Sequence, residues 1–136
     1  MYPNLTYIDV FNGNDITRIK LPNSITTLGV SAFVDNKLRG KLDLTMYPNL
    51  TYVDGFSSNE ITSIKLPSSV TSIGNDAFRY NKLSDKLDLS YLTELTTIRE
   101  SAFQGTSDGK TNQITVLKLP NSVTSIGYYA FRDNKI

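Results

Sequence analysis

The sequence contains no cysteine, no histidine and no tryptophan among its 136 residues. The missing cysteines exclude disulfides and thiolate metal sites. The missing histidines exclude imidazole ligands and every nucleophile that depends on a histidine base. The charge is nearly balanced, with 14 Lys and Arg against 13 Asp and Glu, for a formal net charge of +1. This balance gives the chain no overall attraction to nucleic acid or anionic lipid.

Long hydrophobic runs are lacking too. No segment approaches the ~20 apolar residues that span a bilayer. Residues 1–6 have neither the basic start nor the apolar run of a signal peptide. We therefore expect no membrane span, and two alternatives for export stay open: the protein works where it is made, or a larger precursor carries the missing signals.

A 45-residue unit recurs along the chain. Residues 1–45 and 46–90 align without a gap and are identical at 28 of 45 positions. Residues 91–136 follow the same pattern with one insertion and stop before the unit is complete. Such a period is typical of repeat proteins, in which units that cannot bury an apolar face alone stack into a common core.

A shorter period lies inside this unit and is marked by phenylalanine and asparagine. All six phenylalanines fall at equivalent places, 22 to 28 residues apart, and each is followed by an asparagine. We predict that the rings stack in the core and that the amides hydrogen-bond to the backbone of adjacent coils, in preference to an aromatic binding stripe or a ligand-binding amide row. The two ladders are Phe11, Phe33, Phe56, Phe78, Phe103 and Phe131, and Asn14, Asn36, Asn59, Asn81, Asn112 and Asn134.

Alternating apolar residues predict one short strand in each coil. Because side chains alternate between the two faces of a strand, Ile19 and Leu21 are expected to point inward and Lys20 outward. One class of predicted strands comprises 16–21, 61–66 and 114–119, and a second class comprises 38–44 and 83–89.

The segments between these strands have a different pattern. Each return segment after a strand of the first class carries spaced apolar residues, then a glycine, then Ala-Phe. The glycines Gly29, Gly74 and Gly127 predict a tight turn that a Cβ would hinder. We expect irregular return segments that end in a short helical turn.

Residues 66–78, Leu-Pro-Ser-Ser-Val-Thr-Ser-Ile-Gly-Asn-Asp-Ala-Phe, resemble the BspA-type leucine-rich repeat, and residues 119–131 resemble it more closely still. Three copies of this string occur in register. The intervening coils resemble a more general leucine-rich repeat. The resemblance implies a right-handed solenoid over residues 1–136, with a parallel sheet on its concave side.

The same resemblance implies a function class. Members of this family are often surface proteins of bacteria or parasitic protists that adhere to host or neighbouring cells, and their repeats share no catalytic motif. A cell-surface or secreted location is therefore the expectation. The family often has cysteine three residues after the phenylalanine, where this chain has asparagine, which leaves a packing role and no redox role.

The outward positions of the predicted strands carry a local excess of positive charge. Two adjacent rows hold six cations and only two carboxylates, Asp43 and Asp88. One interpretation is a cross-strand charge ladder, worth about 0.2–1 kcal/mol for each exposed pair. The other is a concave face that binds an anionic polymer such as a sulfated or phosphate-bearing glycan; nucleic acid is disfavoured because the rows lack aromatic residues for base stacking. The cations are Arg18, Lys20, Lys41, Lys65, Lys86 and Lys118.

One insertion, residues 104–111, interrupts the period. Its glycines and small polar residues predict a protruding loop, either a recognition loop or an incidental decoration. Asp108 lacks the further carboxylates that a calcium loop requires, so no metal or cofactor is expected. The candidate loop residues are Thr106, Ser107, Asp108 and Lys110.

Two functional hypotheses follow. The first is a non-catalytic protein-binding or glycan-binding module of a larger surface protein. The second is a self-associating unit that stacks end to end, because neither end of the chain resembles the polar cap that solenoids need. The uncapped ends also predict that residues 1–136, a single solenoid of about six coils of 22–23 residues, are a fragment of a longer protein. An enzyme is not expected, because the serines and threonines have no histidine partner and the carboxylates are spread by the repeat.

Overall fold

The computed structural model describes residues 2–136, and these residues contain ten parallel strands and no helix. Accordingly, no helix in this part of the chain is long and apolar enough to cross a membrane. The strands are β1 (Tyr7–Ile8), β2 (Thr27–Leu28), β3 (Arg39–Asp43), β4 (Tyr52–Val53), β5 (Glu60–Lys65), β6 (Ser72–Ile73), β7 (Ser84–Asp88), β8 (Thr97–Ile98), β9 (Gln113–Lys118) and β10 (Ser125–Ile126).

The longest sheet runs through the return segments. It has six strands in the order β1-β2-β4-β6-β8-β10, each of two residues. The expected short helical turns are not confirmed, and the hydrogen bonds explain why. The Ala32 N–H closes a turn on Gly29 O at 3.1 Å, but the next N–H, of Phe33, donates to Gly55 O in the following coil at 2.7 Å. The chain therefore leaves the helical path after one turn.

The other side of the molecule holds two separate two-stranded sheets, β3–β5 and β7–β9. These four strands lie where four of the five predicted strands were placed. The prediction of a strand at 16–21 is wrong. The N–H groups of Ile16 and Leu21 donate to the side chains of Asn36 and Tyr47, both at 2.9 Å, and not to a neighbouring strand.

Side chains also accept backbone N–H groups between β5 and β7, and the tyrosine bond is the one that distinguishes this gap from the paired sheets, where the Leu44 N–H donates to Lys65 O instead. The Ile61 N–H donates to Asn81 Oδ1 at 3.1 Å, and the Leu66 N–H donates to the Tyr91 hydroxyl at 2.9 Å. Strands on this side therefore pair two by two. An unpaired gap remains between 16–21 and β3, and a second gap remains between β5 and β7.

The core lies between the six-stranded sheet and the paired strands and forms one cluster of buried apolar residues. The six phenylalanine rings stack along it, with successive ring centroids 5.3 to 5.8 Å apart. The asparagines run beside them. Asn81, for example, donates from Nδ2 to Phe56 O at 2.8 Å and to Phe78 O at 3.2 Å. One amide thus ties two coils together.

Candidate functional site

We call the outward side chains of 16–21, β3, β5, β7 and β9 the strand face. All six cations predicted for this surface lie on it and are exposed. In the β3–β5 sheet, Lys41 lies opposite Ser63 and Asp43 lies opposite Lys65. In the β7–β9 sheet, the corresponding pairs are Lys86 with Val116 and Asp88 with Lys118.

The ion pairs on this face run along the strands. Lys41 Nζ lies 3.9 Å from Asp43 Oδ2, and Lys86 Nζ lies 3.1 Å from Asp88 Oδ2. Within residues 2–136 no ion pair of 4.0 Å or less joins two strands of this face, so the expected cross-strand ladder is replaced by pairs within one strand. Such exposed pairs contribute little to stability, about 0–1 kcal/mol each.

Both carboxylates are fixed by the residue two positions further on. Asp88 Oδ1 accepts hydrogen bonds from the Ser90 hydroxyl at 2.6 Å and the Ser90 N–H at 3.0 Å. These bonds, together with Lys86, lower the pKa of Asp88 to about 2. Thr45 makes the same two bonds to Asp43 and lowers the pKa of that carboxyl. Both groups are therefore ionised at neutral pH.

Two shallow depressions open on the strand face, one at each unpaired gap. The first, of about 670 Å³, lies between 16–21 and β3. Its lining comprises three cations, one carboxylate, one hydroxyl and apolar residues, the polar ones being Arg18, Arg39, Lys41, Asp43 and Thr17. The second, of about 530 Å³, lies between β5 and β7 and is lined by Lys41, Lys65 and Lys86 among others. Because Lys41 borders both, the two depressions form one continuous basic surface.

The positions of Lys41 and Lys86 depend on an irregularity in their strands. The pairing register shifts between Gly40 and Lys41 and again between Asp85 and Lys86. Gly40 has a φ of 72° and Asp85 has a φ of 58°, in the left-handed region. Register shifts of this kind bend a strand and redirect the next side chain. The same register shift therefore places Lys41 on one side of the second depression and Lys86 on the other.

The chain matches the model of one protein family. Six copies of the BspA type leucine-rich repeat region match residues 6–136. The chain belongs to the BspA-type leucine-rich repeat family. Neither a curated protein nor a solved structure matches the chain significantly. The match confirms the resemblance seen in the sequence and extends it to the intervening coils.

Repeats of the BspA type are in general non-catalytic modules for binding or structure, and the family is associated with surface and secreted proteins. The geometry agrees with a binding module. The strand face presents cations in open depressions. Within residues 2–136, no three carboxylates are grouped so that they could hold a metal ion.

Two residues of the site were missed by the sequence analysis. Arg39 lines the first depression and Tyr91 the second. Arg39 lies one residue before the register shift, outside the two rows that strand alternation identifies. Tyr91 occupies the place of Met46 in the 45-residue repeat, and both side chains are exposed, Met46 at 58% and Tyr91 at 38%. The repeat therefore predicts an exposed residue at position 91, but it does not predict that the Tyr91 hydroxyl binds the Leu66 N–H of another coil.

The insertion, residues 104–111, does not contribute to the depressions that the strand-face cations line. Thr106, Ser107, Asp108 and Lys110 line neither depression. Asp108 Oδ1 accepts a hydrogen bond from the Lys110 N–H at 3.0 Å, and Lys110 Nζ lies 3.5 Å from Asp108 Oδ2. The tip of the loop is exposed and is also bound by Lys82, whose Nζ donates to Lys110 O, whereas Gln104 and Gly105 at its base are buried.

A buried carboxyl lies elsewhere in this BspA-type chain, directly after β4. Asp54 is 3% exposed, and burial raises its pKa to about 6, against the lowering effect of hydrogen bonds from the Gly55 N–H at 2.7 Å and the Tyr52 hydroxyl at 3.2 Å. Gly74 makes room for it, because a Cβ there would overlap the carboxylate.

Replacing Asp54 with asparagine is expected to stabilise the protein at neutral pH. Because the folded pKa lies above the ordinary value of 3.8, folding takes up a proton, and wild-type stability falls as the pH rises from about 4 to about 6. Asp54→Asn should therefore raise the free energy of unfolding by about 2–3 kcal/mol at pH 7 and change it little near pH 3. Urea unfolding at both pH values measures this.

Asp88→Asn is the matched control, because the pKa of Asp88 is shifted in the opposite direction, to about 2. Its stabilising effect is present above the unfolded pKa and disappears as the pH falls towards 2. The Asp88 variant should therefore lose stability at neutral pH. A gain from Asp54→Asn that is equal at pH 3 and pH 7 would contradict the assignment.

Proposed function

We propose that the chain is an adhesion-type module of a cell-surface or secreted protein and that its strand face binds an anionic glycan. One observation carries this proposal. The strand face holds seven cations, which are the six predicted from the sequence and Arg39, against four carboxylates, in a chain whose formal net charge is +1. The carboxylates are those of Asp43, Glu60, Asp85 and Asp88. The remainder of the molecule therefore has a formal charge of −2, so a polyanion is attracted to this face and repelled elsewhere.

The chemistry of the face favours a flexible polyanion. The lysines are exposed on short strands, and the depressions are open and shallow. Each contact with an exposed lysine is weak and screened by salt, so affinity depends on many charges acting together. A sulfated or phosphorylated glycan supplies such charges at regular intervals along one chain.

The double variant Lys41→Glu/Lys86→Glu is expected to weaken binding to heparin, used as a sulfated glycan probe, by at least about tenfold, because it reverses the charge between the depressions. Isothermal titration calorimetry at low and high salt measures the affinity. Wild-type binding should weaken steeply as salt increases.

Lys37→Glu/Lys135→Glu is the matched control. Both lysines are exposed, line neither depression and give the same formal charge of −3 when both are reversed. This variant should retain most of the affinity. Equal losses in the two variants would show that only net charge matters and would refute a site on the strand face.

A second candidate function is self-association through the ends of the solenoid. Apolar side chains are exposed at both ends, with Val10 70% and Phe11 42% exposed at one and Ile126 50% and Tyr128 81% exposed at the other. Stacking of the two ends would cover these residues and continue the phenylalanine ladder. Light scattering over a dilution series tests it: assemblies that grow with concentration support it, and a concentration-independent monomer refutes it.

A further inference from the structure

The depression between β5 and β7 differs from an ordinary patch of surface lysines. Three strands, β3, β5 and β7, each contribute one lysine to it: Lys41, Lys65 and Lys86. A single carboxylate, that of Asp88, also lines it, but its oxygens are already bonded to Ser90 and Lys86. The depression therefore has a local excess of positive charge within about 530 Å³.

A small residue creates the space between the lysines. Lys41 lies opposite Ser63 in β5, and Lys86 occupies the same position in β7, on the far side of the gap. Lys41 is one strand spacing, about 4.8 Å, from Ser63, and Lys86 faces the serine across the unpaired gap, so the two flexible lysine side chains flank it. The short side chain of Ser63 leaves the floor open and adds a hydroxyl.

An aromatic ring borders the same space. Tyr91 lines the depression and is 38% exposed, and its hydroxyl is held by the Leu66 N–H at 2.9 Å. The bond fixes the ring without using its exposed surface. Tyr47, whose hydroxyl accepts the equivalent bond from the Leu21 N–H, is buried and does not line the first depression. Of the two depressions, the second alone combines cations with an aromatic ring.

We propose that the depression over Ser63 holds one sulfate or phosphate monoester group of a sugar residue. Lys41, Lys65 and Lys86 donate hydrogen bonds to the oxyanion, and the ring of Tyr91 packs against the sugar. Charge-assisted bonds of this kind suit a tetrahedral oxyanion, and the amphipathic tyrosine ring suits the apolar face of a sugar. The inference rests on the proposed function and names the group that the anionic glycan would place there.

The probes are glucose 6-sulfate and glucose 6-phosphate, with glucose as the uncharged reference. Each is titrated into the full chain and followed by NMR at the backbone of Ser63 and Lys65 and at the ring of Tyr91. We expect at least one ester to bind saturably and shift these signals, and glucose to leave them in place. Comparison of the two esters identifies whether sulfate or phosphate is preferred.

The deciding variant is Ser63→Leu, which fills the floor of the depression and leaves every charge in place. It should weaken ester binding by roughly tenfold, the loss expected when several weak lysine contacts are prevented together. Thr62→Leu is the control, because Thr62 is exposed on the same strand and lines neither depression. If Ser63→Leu fails to fold, Lys65→Gln replaces it and should weaken ester binding several-fold.

The outcomes separate this inference from the proposed function. No saturable binding of either ester, or equal affinities for Ser63→Leu and Thr62→Leu, overturns the inference. If heparin binding depends on Lys41 and Lys86 but is unaffected by Ser63→Leu, the strand face remains the proposed glycan-binding site, and the inference that the depression binds the ester group is refuted. If the ester binds at Ser63 but heparin does not bind, the ester site in the depression is supported, and the proposed binding of a glycan polymer is refuted.

Discussion

Replacing Phe78 with alanine is expected to lower the free energy of unfolding by about 3–5 kcal/mol. The ring is fully buried and lies in the middle of the ladder, with its centroid 5.5 Å from those of both Phe56 and Phe103. Truncation removes apolar contacts on both sides and leaves a cavity between two coils. Because neighbouring coils stabilise one another in a solenoid, the loss should appear in the unfolding of the whole chain.

Urea unfolding followed by circular dichroism measures this change, with Phe11→Ala as the control. Phe11 belongs to the same ladder but is 42% exposed and stacks on one ring, that of Phe33, at 5.8 Å. Its truncation should cost about 1–2 kcal/mol, since less apolar surface is involved. A Phe78 variant that unfolds at the wild-type urea concentration would contradict a core role for the ladder.

The ladders are the part of the fold that the sequence predicts best, because each coil repeats the same residue at the same place. The insertion shows how strong this constraint is. Asn112 lies nine residues after Phe103 instead of three, yet it still donates to Phe78 O at 2.8 Å and accepts from the Leu83 N–H at 3.0 Å. The extra residues loop out, and the asparagine keeps its place.

The sheet in the return segments could not be predicted by alternation. Each of its strands has two residues, too few to show a period, and only one of the two points into the core, such as Leu28 in β2 and Ile73 in β6. These strands form because the coils stack and so place equivalent backbone groups side by side. The Thr51 N–H, for example, donates to Thr26 O at 2.9 Å.

The sequence predicts the charges of the candidate site but not its shape. Strand alternation places Lys41, Lys65 and Lys86 outward, since it depends only on local sequence. The depressions arise where strands do not pair, and in each gap a distant tyrosine, Tyr47 or Tyr91, accepts a backbone N–H of the neighbouring coil. A pattern within one coil cannot report a bond made to another.

Positions that are the same in every coil and positions that vary between coils therefore carry different information. Positions that are the same in every coil, such as the phenylalanine, support the core. Positions that differ between coils on the outer surface determine which groups a ligand meets. Ser63 interrupts the row that Lys41 and Lys86 would otherwise share with a third long side chain, and its small size leaves the second depression unfilled at the unpaired gap.

Replacing Asn81 with leucine is expected to lower the free energy of unfolding by about 2–4 kcal/mol, although leucine is similar in size. The Asn81 side chain is fully buried, and its Oδ1 accepts the hydrogen bond of the Ile61 N–H, a group that is itself in the core. Leucine would leave that N–H without a partner and away from water. Phe56 O, in contrast, would keep its hydrogen bond from Asn59 Nδ2 at 3.2 Å.

Urea unfolding gives the size of the loss, and amide hydrogen exchange at Ile61 locates it. In the variant, Ile61 should exchange faster than in the wild type by more than the global loss of stability accounts for. Asn14→Leu is the control: Asn14 is exposed and bonds only to its own coil, at Phe11 O and Asn12 O, so its replacement should cost less than about 1 kcal/mol. Equal losses from the two variants would show that the amides do not act by joining coils, and the role assigned to the asparagine ladder would be wrong.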